Sequence, residues 1–428
     1  MIRKITVFIL TWWLSRPRRT SPAGTPVPGR LLYVAANCLP YHLSGYTTRT
    51  DAVVRAMRDS GIDIQVVTRP GYPWDRSDRR ADSSQNVTIV DDMEYRHFHF
   101  PPNYLPVVAY AFVAARPIIA HARREKIAVI HAASNHVNAL PALLAARKLG
   151  IPFHYELRGI WEITRISRMP EFEGSEAYLQ GLALEGLVAR NADTLFVISE
   201  QLGRYAQQHW GVPAERIRLL PNCVDPERIF PAEQELTEAN TIAYAGSLMS
   251  YEGLDTLIDA VHILVKNNTP VHVDIIGDGE VKASLEAQTQ QLGLSAHIRF
   301  HGKLPPETTR ALLGGCSLVC IPRKPFKVCE IVPPIKLVEA LAMAKPVIVP
   351  DLPVFRDELG NNPAGWLFKA GDPVDLARII TIALGNPEQL KTLSARARQY
   401  AQTQRRWQDF IVKPAATLAS LSQTEIQQ

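Results

Sequence analysis

The sequence predicts an α/β protein built of two doubly wound, parallel-sheet domains in tandem. Three observations carry that expectation. At 428 residues the chain is too long for one ordinary core. Apolar strand-like runs alternate with stretches of helical periodicity, and they do so in two separate series. Between the series lies "VDPERIFPAEQELTEAN", polar and carrying two prolines, which reads as an interdomain linker.

The first series opens with "RLLYVAANCLP", an apolar strand that ends in a loop. The helical stretch "TRTDAVVRAMRDSG" follows and stops at Gly61. "IDIQVVTRPG", "KIAVIHAAS", "GIPFHYELRG" and "DTLFVIS" continue the strands, with helices such as "LPALLAARKLG" between them. The second series runs from "NTIAYAGSL" through "VHVDIIGDG", "AHIRFHG", "CSLVCIPR" and "AKPVIVPD". The expected boundaries are a leader at 1–27, a first domain at 28–226, a linker at 227–240 and a second domain at 241–391. An amphipathic helical tail at 392–428 is expected to cross back to the first domain. Sheets of this type bind ligands beyond their strand C-termini, so a crevice between the two domains is the expected site.

Composition narrows the function. Hydrophobic residues at 46% and charged residues at 21% are globular values, not those of a disordered chain. A net charge of +5 suits anionic substrates or an anionic membrane surface and is too weak to imply nucleic acid. Five cysteines, an odd number without ligand spacing to histidine, read as buried thiols in a reducing, cytoplasmic setting. The start, "MIRKITVFILTWWLSRPRR", holds an apolar run of ten residues, too short to span a bilayer. Basic residues flank it on both sides and no small-residue cleavage site follows, which argues against an export signal. A disordered leader and a shallow interfacial anchor, with Trp12 and Trp13 at headgroup depth, both fit.

Several chemistries lack their motif. Gly277-Asp278-Gly279 follows a strand but has no third glycine, so a dinucleotide fingerprint is missing. There is no phosphate-binding G-x-x-x-x-G-K-[ST], no G-x-S-x-G elbow and no H-E-x-x-H. No Asp-x-Asp stands at a strand end, so no metal is implied.

One stretch does point to chemistry. In "VPPIKLVEALAMAKPVIVPD", Pro334 suits the first helical position, and the amides behind it face outward with the positive end of the helix dipole. Lys336 adds a cation there, and Glu339 lies one turn further in, where it can accept from ligand hydroxyls. Together they suit a phosphorylated sugar; a surface ion pair at i, i+3 is the alternative on spacing alone. The helix follows the fourth strand of the second series and so opens on the expected crevice.

In order and spacing, "GSLMSYEGLDTLIDA", "IIGDGE", "LGLSAHIRFHGKLPPE", "CSLVCIPR" and "PPIKLVEALAMAKPVIVPD" resemble the C-terminal domain of the family-4 glycosyltransferases. "YHLSGYTTRTDAVVRAMRDSGIDIQVVTRPG", "VIHAASNHVNALPALLAARKLGIPFHYELRG" and "FVISEQLGRYAQQHWGVPAERIRLLPNCVD" resemble their N-terminal half. The likeness spans roughly residues 30 to 390. It implies the GT-B fold, with two Rossmann-like domains facing across a cleft, and a retaining, metal-independent, hexosyltransferase-like enzyme. A nucleotide-diphosphate sugar is the implied co-substrate, and no cofactor is implied.

Carried over residue by residue, the resemblance assigns Glu339 to the donor ribose. The partner glutamate of the family falls on Ile331 and is absent, with Glu330 one residue out of register. The family's arginine and lysine for the diphosphate fall on Ser247 and Glu252; Lys336, Arg323 or Lys324 is expected to replace their charge. Gly45 matches the glycine whose backbone approaches the donor phosphate, and Gly246, Gly277, His301 and Lys303 fall on donor-side loops. Of the family's histidine pair His131 remains, expected to meet the sugar or acceptor, while Ala133 replaces the second and His136 follows. Arg158, Trp161 and Glu162 in "ELRGIWE", with Arg69 and Trp74 in "TRPGYPWD", form the expected acceptor side; a buried Trp with a salt-bridged Arg, and a structural proline-rich loop, are the alternatives.

The expected activity is therefore sugar transfer to a growing glycan or lipid-linked saccharide, with Lys336, Glu339 and His131 as catalytic residues. Peripheral contact with the inner membrane is expected of the leader. The missing arginine, lysine and glutamate leave open a non-catalytic subunit that binds a glycan or a partner enzyme; a phosphorylase or epimerase on the same fold is a third reading.

Overall fold

The computed structural model describes residues 2–17, 22, 24–80, 85–231, 240–361 and 363–411. The chain divides into two compact units. The first comprises the described residues up to Pro221 together with those from Trp407 onward; the second runs from Asn222 to Arg406. Residues 222–226 thus group with the second unit, as does the helix Pro387–Gln404. Most of the expected linker, 232–239, and the tail from 412 lie outside the described residues.

In the first unit the strands are β1 (Leu31–Ala35), β2 (Ile64–Thr68), β3 (Val87–Val90), β4 (Met93–Arg96), β5 (Val129–Ala133), β6 (Phe153–Leu157), β7 (Thr194–Val197) and β8 (Ile217–Leu219). They lie in the order β3-β4-β2-β1-β5-β6-β7-β8, parallel except for β3 against β4. The helices are α1 (Ile2–Leu14), α2 (Gly45–Asp59), α3 (Val107–Arg124), α4 (His136–Leu149), α5 (Trp161–Ile166), α6 (Glu176–Asn191) and α7 (Glu200–Trp210). β1, β5, β6 and β7 are buried at every residue, as parallel strands covered on both faces must be. Helix starts are capped by side chains: Ser44 and Thr47 form a reciprocal capping box on α2, and Asn135 caps α4.

Within the expected leader, residues Ile2–Leu14 form helix α1. Leu10 and Leu14, one turn apart, bury themselves where α1 packs on α3 and α6. Trp13 meets Phe112 edge to face at 5.5 Å. Ile5, Phe8, Ile9 and Trp12 form the opposite stripe and stay exposed. Among the described residues no helix is long and apolar enough to cross a membrane.

The second unit carries β9 (Thr241–Ala245), β10 (His272–Ile276), β11 (Ile298–Gly302), β12 (Leu318–Cys320), β13 (Val347–Pro350) and β14 (Gly365–Phe368). Their order, β11-β10-β9-β12-β13-β14, is that of a six-stranded doubly wound sheet, and all pairs are parallel. Its helices are α8 (Leu254–Lys266), α9 (Lys282–Gln291), α10 (Pro306–Gly315), α11 (Lys327–Ile331), α12 (Ile335–Ala342), α13 (Pro353–Leu359), α14 (Pro373–Leu384) and α15 (Pro387–Gln404). Tyr244, Leu257, Ile275, Ile348 and Ile380 share one core cluster. Val338 and Ala342 on α12 meet Ala401 on α15, which ties the last helix to this unit. In each sheet the winding reverses beside the first strand of that unit, between β1 and β5 and between β9 and β12. Such a reversal splays the following loops apart and leaves room for a ligand at the strand C-termini.

Candidate active site

At the reversal of the first unit lies a cavity of about 430 Å³, within the range of small-ligand sites. The loop after β1 contributes Ala36 and Asn37, and the loop after β5 contributes Ser134 and Asn135. Tyr46, Arg69, Arg158 and Trp161 complete its polar and aromatic wall. Trp161 is half exposed, with the Arg165 guanidinium over its ring at 5.1 Å and Phe172 edge-on at 6.0 Å. Arg69 is held by a bidentate ion pair to Asp75.

Arg158 is fixed from every side. It donates to Glu156 at 2.9 Å through both Nε and Nη2, to Thr50 Oγ1 at 2.7 Å and to the Tyr46 carbonyl at 3.1 Å. Arg49 reaches the same carboxylate at 2.9 Å. Burial works to raise the Glu156 pKa, but the charges of Arg158 and Arg49 win and hold it well below the usual carboxylate range. The sequence paired Arg158 with Trp161 and Glu162 and missed Glu156. The signal was present: in a strand, residues two apart share a face, and Glu156 and Arg158 are two apart.

Two expected site residues stand elsewhere. His131 is 1% exposed, in mid-strand, stacked on Tyr33 at 5.0 Å and packed against Phe196 and His154. It does not line the cavity; its Nε2 lies 3.5 Å from Oε2 of Glu156, the carboxylate that holds Arg158 of the cavity wall. Glu162 is also buried, at 2%, and turns behind the wall toward His136 and Glu185. His136 Nδ1 lies 3.1 Å from Glu185 Oε2. Burial opposes the imidazolium there, yet Glu185 and Glu162 raise its pKa above the ordinary value. Gly45 is the exposed first residue of α2, beside Tyr46 of the cavity wall. Trp74 stacks on His99 at 3.4 Å.

In the second unit the predicted helix begins one residue later than expected: Pro334 is the N-cap and Ile335 the first helical residue. Lys336 and Glu339 both stand on its first turns but do not pair with each other. Lys336 Nζ donates to Tyr244 Oη at 2.6 Å and to Glu252 Oε2 at 2.8 Å. Burial lowers its pKa, with Glu252 acting in the opposite direction. The surface ion pair at i, i+3 is thereby replaced by a long-range contact. The Glu339 carboxylate makes no hydrogen bond among the described residues, and burial pushes its pKa upward. A half-buried carboxylate without a donor, one turn from a half-buried ammonium, is suited to receive ligand hydroxyls.

Arg323 is 7% exposed and engages Glu252 at 2.9 Å, so it supplies the cluster with charge from within. Lys324 instead pairs with Asp255 at 2.5 Å. Gly246 and Gly277 bring the loops after β9 and β10 together. A Cβ on Gly277 would lie 1.9 Å from the Gly246 carbonyl, and one on Gly246 would lie 2.7 Å from Lys336 Nζ. Both have positive φ, at 154° and 137°, so glycine is required twice over. The Ser247 carbonyl accepts from Tyr244 Oη at 2.8 Å, while its side chain adds no charge. His301 is bound at 2.8 Å to Asp274, across from β11 to β10, and Lys303 is exposed.

Two doubly wound units in tandem, each with polar groups gathered where its sheet reverses, define a GT-B protein. The "Glycosyl transferase 4-like domain" model matches residues 44–223, and the "Glycosyl transferases group 1" model matches residues 225–400. The chain belongs to the group 1 glycosyltransferases. It is 22% identical to a D-inositol 3-phosphate glycosyltransferase of Catenulispora acidiphila, over 81% of this chain and 84% of that one. A phosphatidyl-myo-inositol mannosyltransferase of Mycobacterium leprae is 31% identical over 135 residues, 32% of this chain and 34% of the relative. An amylovoran biosynthesis glycosyltransferase of Erwinia amylovora matches at 26% identity, over 40% of this chain and 42% of its own. The matches thus span about a third to two fifths of these last two relatives. Among solved structures, a sucrose-phosphate synthase from Thermosynechococcus elongatus superposes with a TM-score of 0.73 at 16% identity, covering 92% of this chain and 99% of the other. Anabaena HepE in complex with UDP gives 0.70 at 17% identity, covering 91% and 100%. These likenesses show the fold.

Proposed function

We propose that the chain is a retaining glycosyltransferase that moves a sugar from a nucleoside-diphosphate sugar to a glycan or lipid-linked saccharide. One observation carries the reading: a half-buried ammonium and a half-buried carboxylate without a side-chain partner, Lys336 and Glu339, stand together at the reversal of the second sheet. Solved HepE complexes contain UDP and UDP-glucose, which supports a nucleotide sugar as donor. In this reading Lys336 and the first-turn amides of α12 meet the departing diphosphate, and Glu339 holds the ribose. No cofactor enters it. The acceptor occupies the cavity of the first unit, against Arg158, Arg69 and Trp161. Breaking the anomeric bond leaves an oxocarbenium-like sugar, so positioning and charge neutralisation are the protein's contribution.

The reading includes peripheral attachment through α1 to the cytoplasmic face of the membrane. Its exposed stripe is apolar, and the chain has five basic residues and no acidic one in its first twenty positions. An apolar stripe with that charge suits an anionic lipid surface. Thermal denaturation with UDP, GDP and ADP tests the donor reading. One nucleotide at ~100 times its Kd stabilises by about 2.7 kcal/mol and raises Tm by roughly 5–10 °C. Failure of all three to shift Tm would favour a non-catalytic binding subunit. Product anomer analysis with the donor so found tests retention.

A further inference from the structure

The two cations of the second unit share one carboxylate. Glu252 ends the short turn Ser250–Glu252 and is 3% exposed. Arg323 donates to it through Nη2 at 2.9 Å and Nε at 3.3 Å, and Lys336 through Nζ at 2.8 Å. The remaining bonds fix both cations further: Arg323 Nη1 donates to the Val332 carbonyl at 2.8 Å, and Lys336 Nζ donates to Tyr244 Oη at 2.6 Å. The absent side chain of Gly246 leaves space for Lys336 Nζ, which a Cβ there would approach to 2.7 Å.

We propose that Glu252 is a positioning residue that keeps Lys336 charged and aimed beside Arg323, so that the cluster presents one net positive charge to a nucleoside diphosphate. The inference rests on the reading of this unit as the donor side. Its physical basis is that two cations cannot share a buried site without a counter-charge. Desolvation disfavours each, and their mutual repulsion is strong where water is excluded. Among the described residues five titratable groups face Lys336: Glu252, Arg323, Tyr244, the Cys329 thiol of α11, whose pKa burial raises to about 11 so that it stays neutral from pH 7.5 to 9, and, from its own helix, Glu339. Burial and Arg323 disfavour the ammonium, whereas Glu252 and Glu339 favour it. Glu252 is the carboxylate in hydrogen-bond contact, so replacing it tips the balance against the charge. A lysine is charged below its pKa and neutral above it; the Glu252→Gln variant therefore loses the cation at a lower pH than the wild type.

The experiment is calorimetric titration of the full chain with UDP, GDP and ADP from pH 7.5 to 9, where the nucleotide phosphates are already fully ionised. Wild type, Glu252→Gln and the double variant Glu252→Gln with Lys336→Arg are compared. The wild type should bind one nucleotide with little pH dependence. Glu252→Gln should weaken by ~10-fold or more across that range and take up a proton on binding, visible as a heat that depends on the buffer. The double variant should bind without proton uptake, because arginine stays charged. A folded Glu252→Gln protein with the wild-type pH profile and no proton uptake overturns the proposal. If folded wild type binds none of the three nucleotides, the donor reading itself fails, and the proposal with it.

Discussion

Lys336 and Glu339 should do different work, and paired substitutions separate them. In the proposed reading Lys336 meets the diphosphate, where negative charge grows as the anomeric bond breaks. Two unit charges about 4 Å apart interact by roughly 4 kcal/mol at an effective dielectric of 20. Amides of the first turn of α12 and solvent cover part of a loss, so Lys336→Met should lower kcat by ~10²- to 10³-fold. The substitution also removes one of the two cations that hold Glu252. Arg323 remains, so the cost to folding should stay below the roughly 3–5 kcal/mol of a fully broken buried pair. A melting curve is therefore the necessary control. In the proposed reading Glu339 holds the ribose, which is bound alike in ground and transition states. A hydrogen bond to a charged group contributes about 1.5–3 kcal/mol, so Glu339→Gln should raise donor KM by ~10- to 100-fold with kcat nearly unchanged. Steady-state kinetics with the donor found by thermal shift reads both. A folded Lys336→Met enzyme with wild-type kcat refutes the phosphate role, and a Glu339→Gln enzyme that loses kcat but not KM refutes the ribose role.

Acid should destabilise the fold through two buried carboxylates. Glu156 is held well below the usual range, and Glu252, despite burial, is held down to about 2 by Arg323 and Lys336. Carboxylates depressed in the folded state stabilise it fully above their unfolded pKa, so stability should fall as pH drops below about 5. Denaturant titrations from pH 7 to 3 should show that slope. Glu156→Gln should cost about 3–5 kcal/mol at pH 7 and flatten it; an unchanged slope would assign the acid sensitivity elsewhere. For α1, vesicles containing phosphatidylglycerol should sediment the full chain and neutral vesicles should not, since each basic residue near an anionic surface adds about 1 kcal/mol. Phe8→Ser with Trp12→Ser should abolish sedimentation; equal binding to both vesicle types, or loss of a lipid-free dimer in the variant, would remove the membrane from the reading.

The winding of both sheets was legible because each buried parallel strand is a continuous apolar run and each crossover has helical periodicity. β3, β4, β8 and β14 escaped for the complementary reason: they are three or four residues long, and none is buried throughout. His131 shows a limit of another kind. Alternation says that its side chain faces one side of the sheet, but in a sheet covered on both faces neither side is marked as the site. Helix α1 shows a third. Ten apolar residues read the same whether protein or lipid covers them, and only the packing separates Leu10 and Leu14, turned inward, from Phe8 and Trp12, turned out.

The donor side shows what resemblance adds and where it stops. It marked Ser247 and Glu252 as positions where the family's cations are missing, and Lys336, Arg323 or Lys324 as replacements. It did not indicate that the replacements and the departure form one unit. Glu252 is 71 residues from Arg323 and 84 from Lys336, and no local pattern joins them. Given the fold, the connection is required by electrostatics. Moving two cations into a buried site at a sheet's reversal demands a counter-ion, and the loop that lost its lysine is where one can be placed. On the proposed donor reading, Glu252 is the counter-charge beside which Lys336 stands as a cation, not a defect in the site.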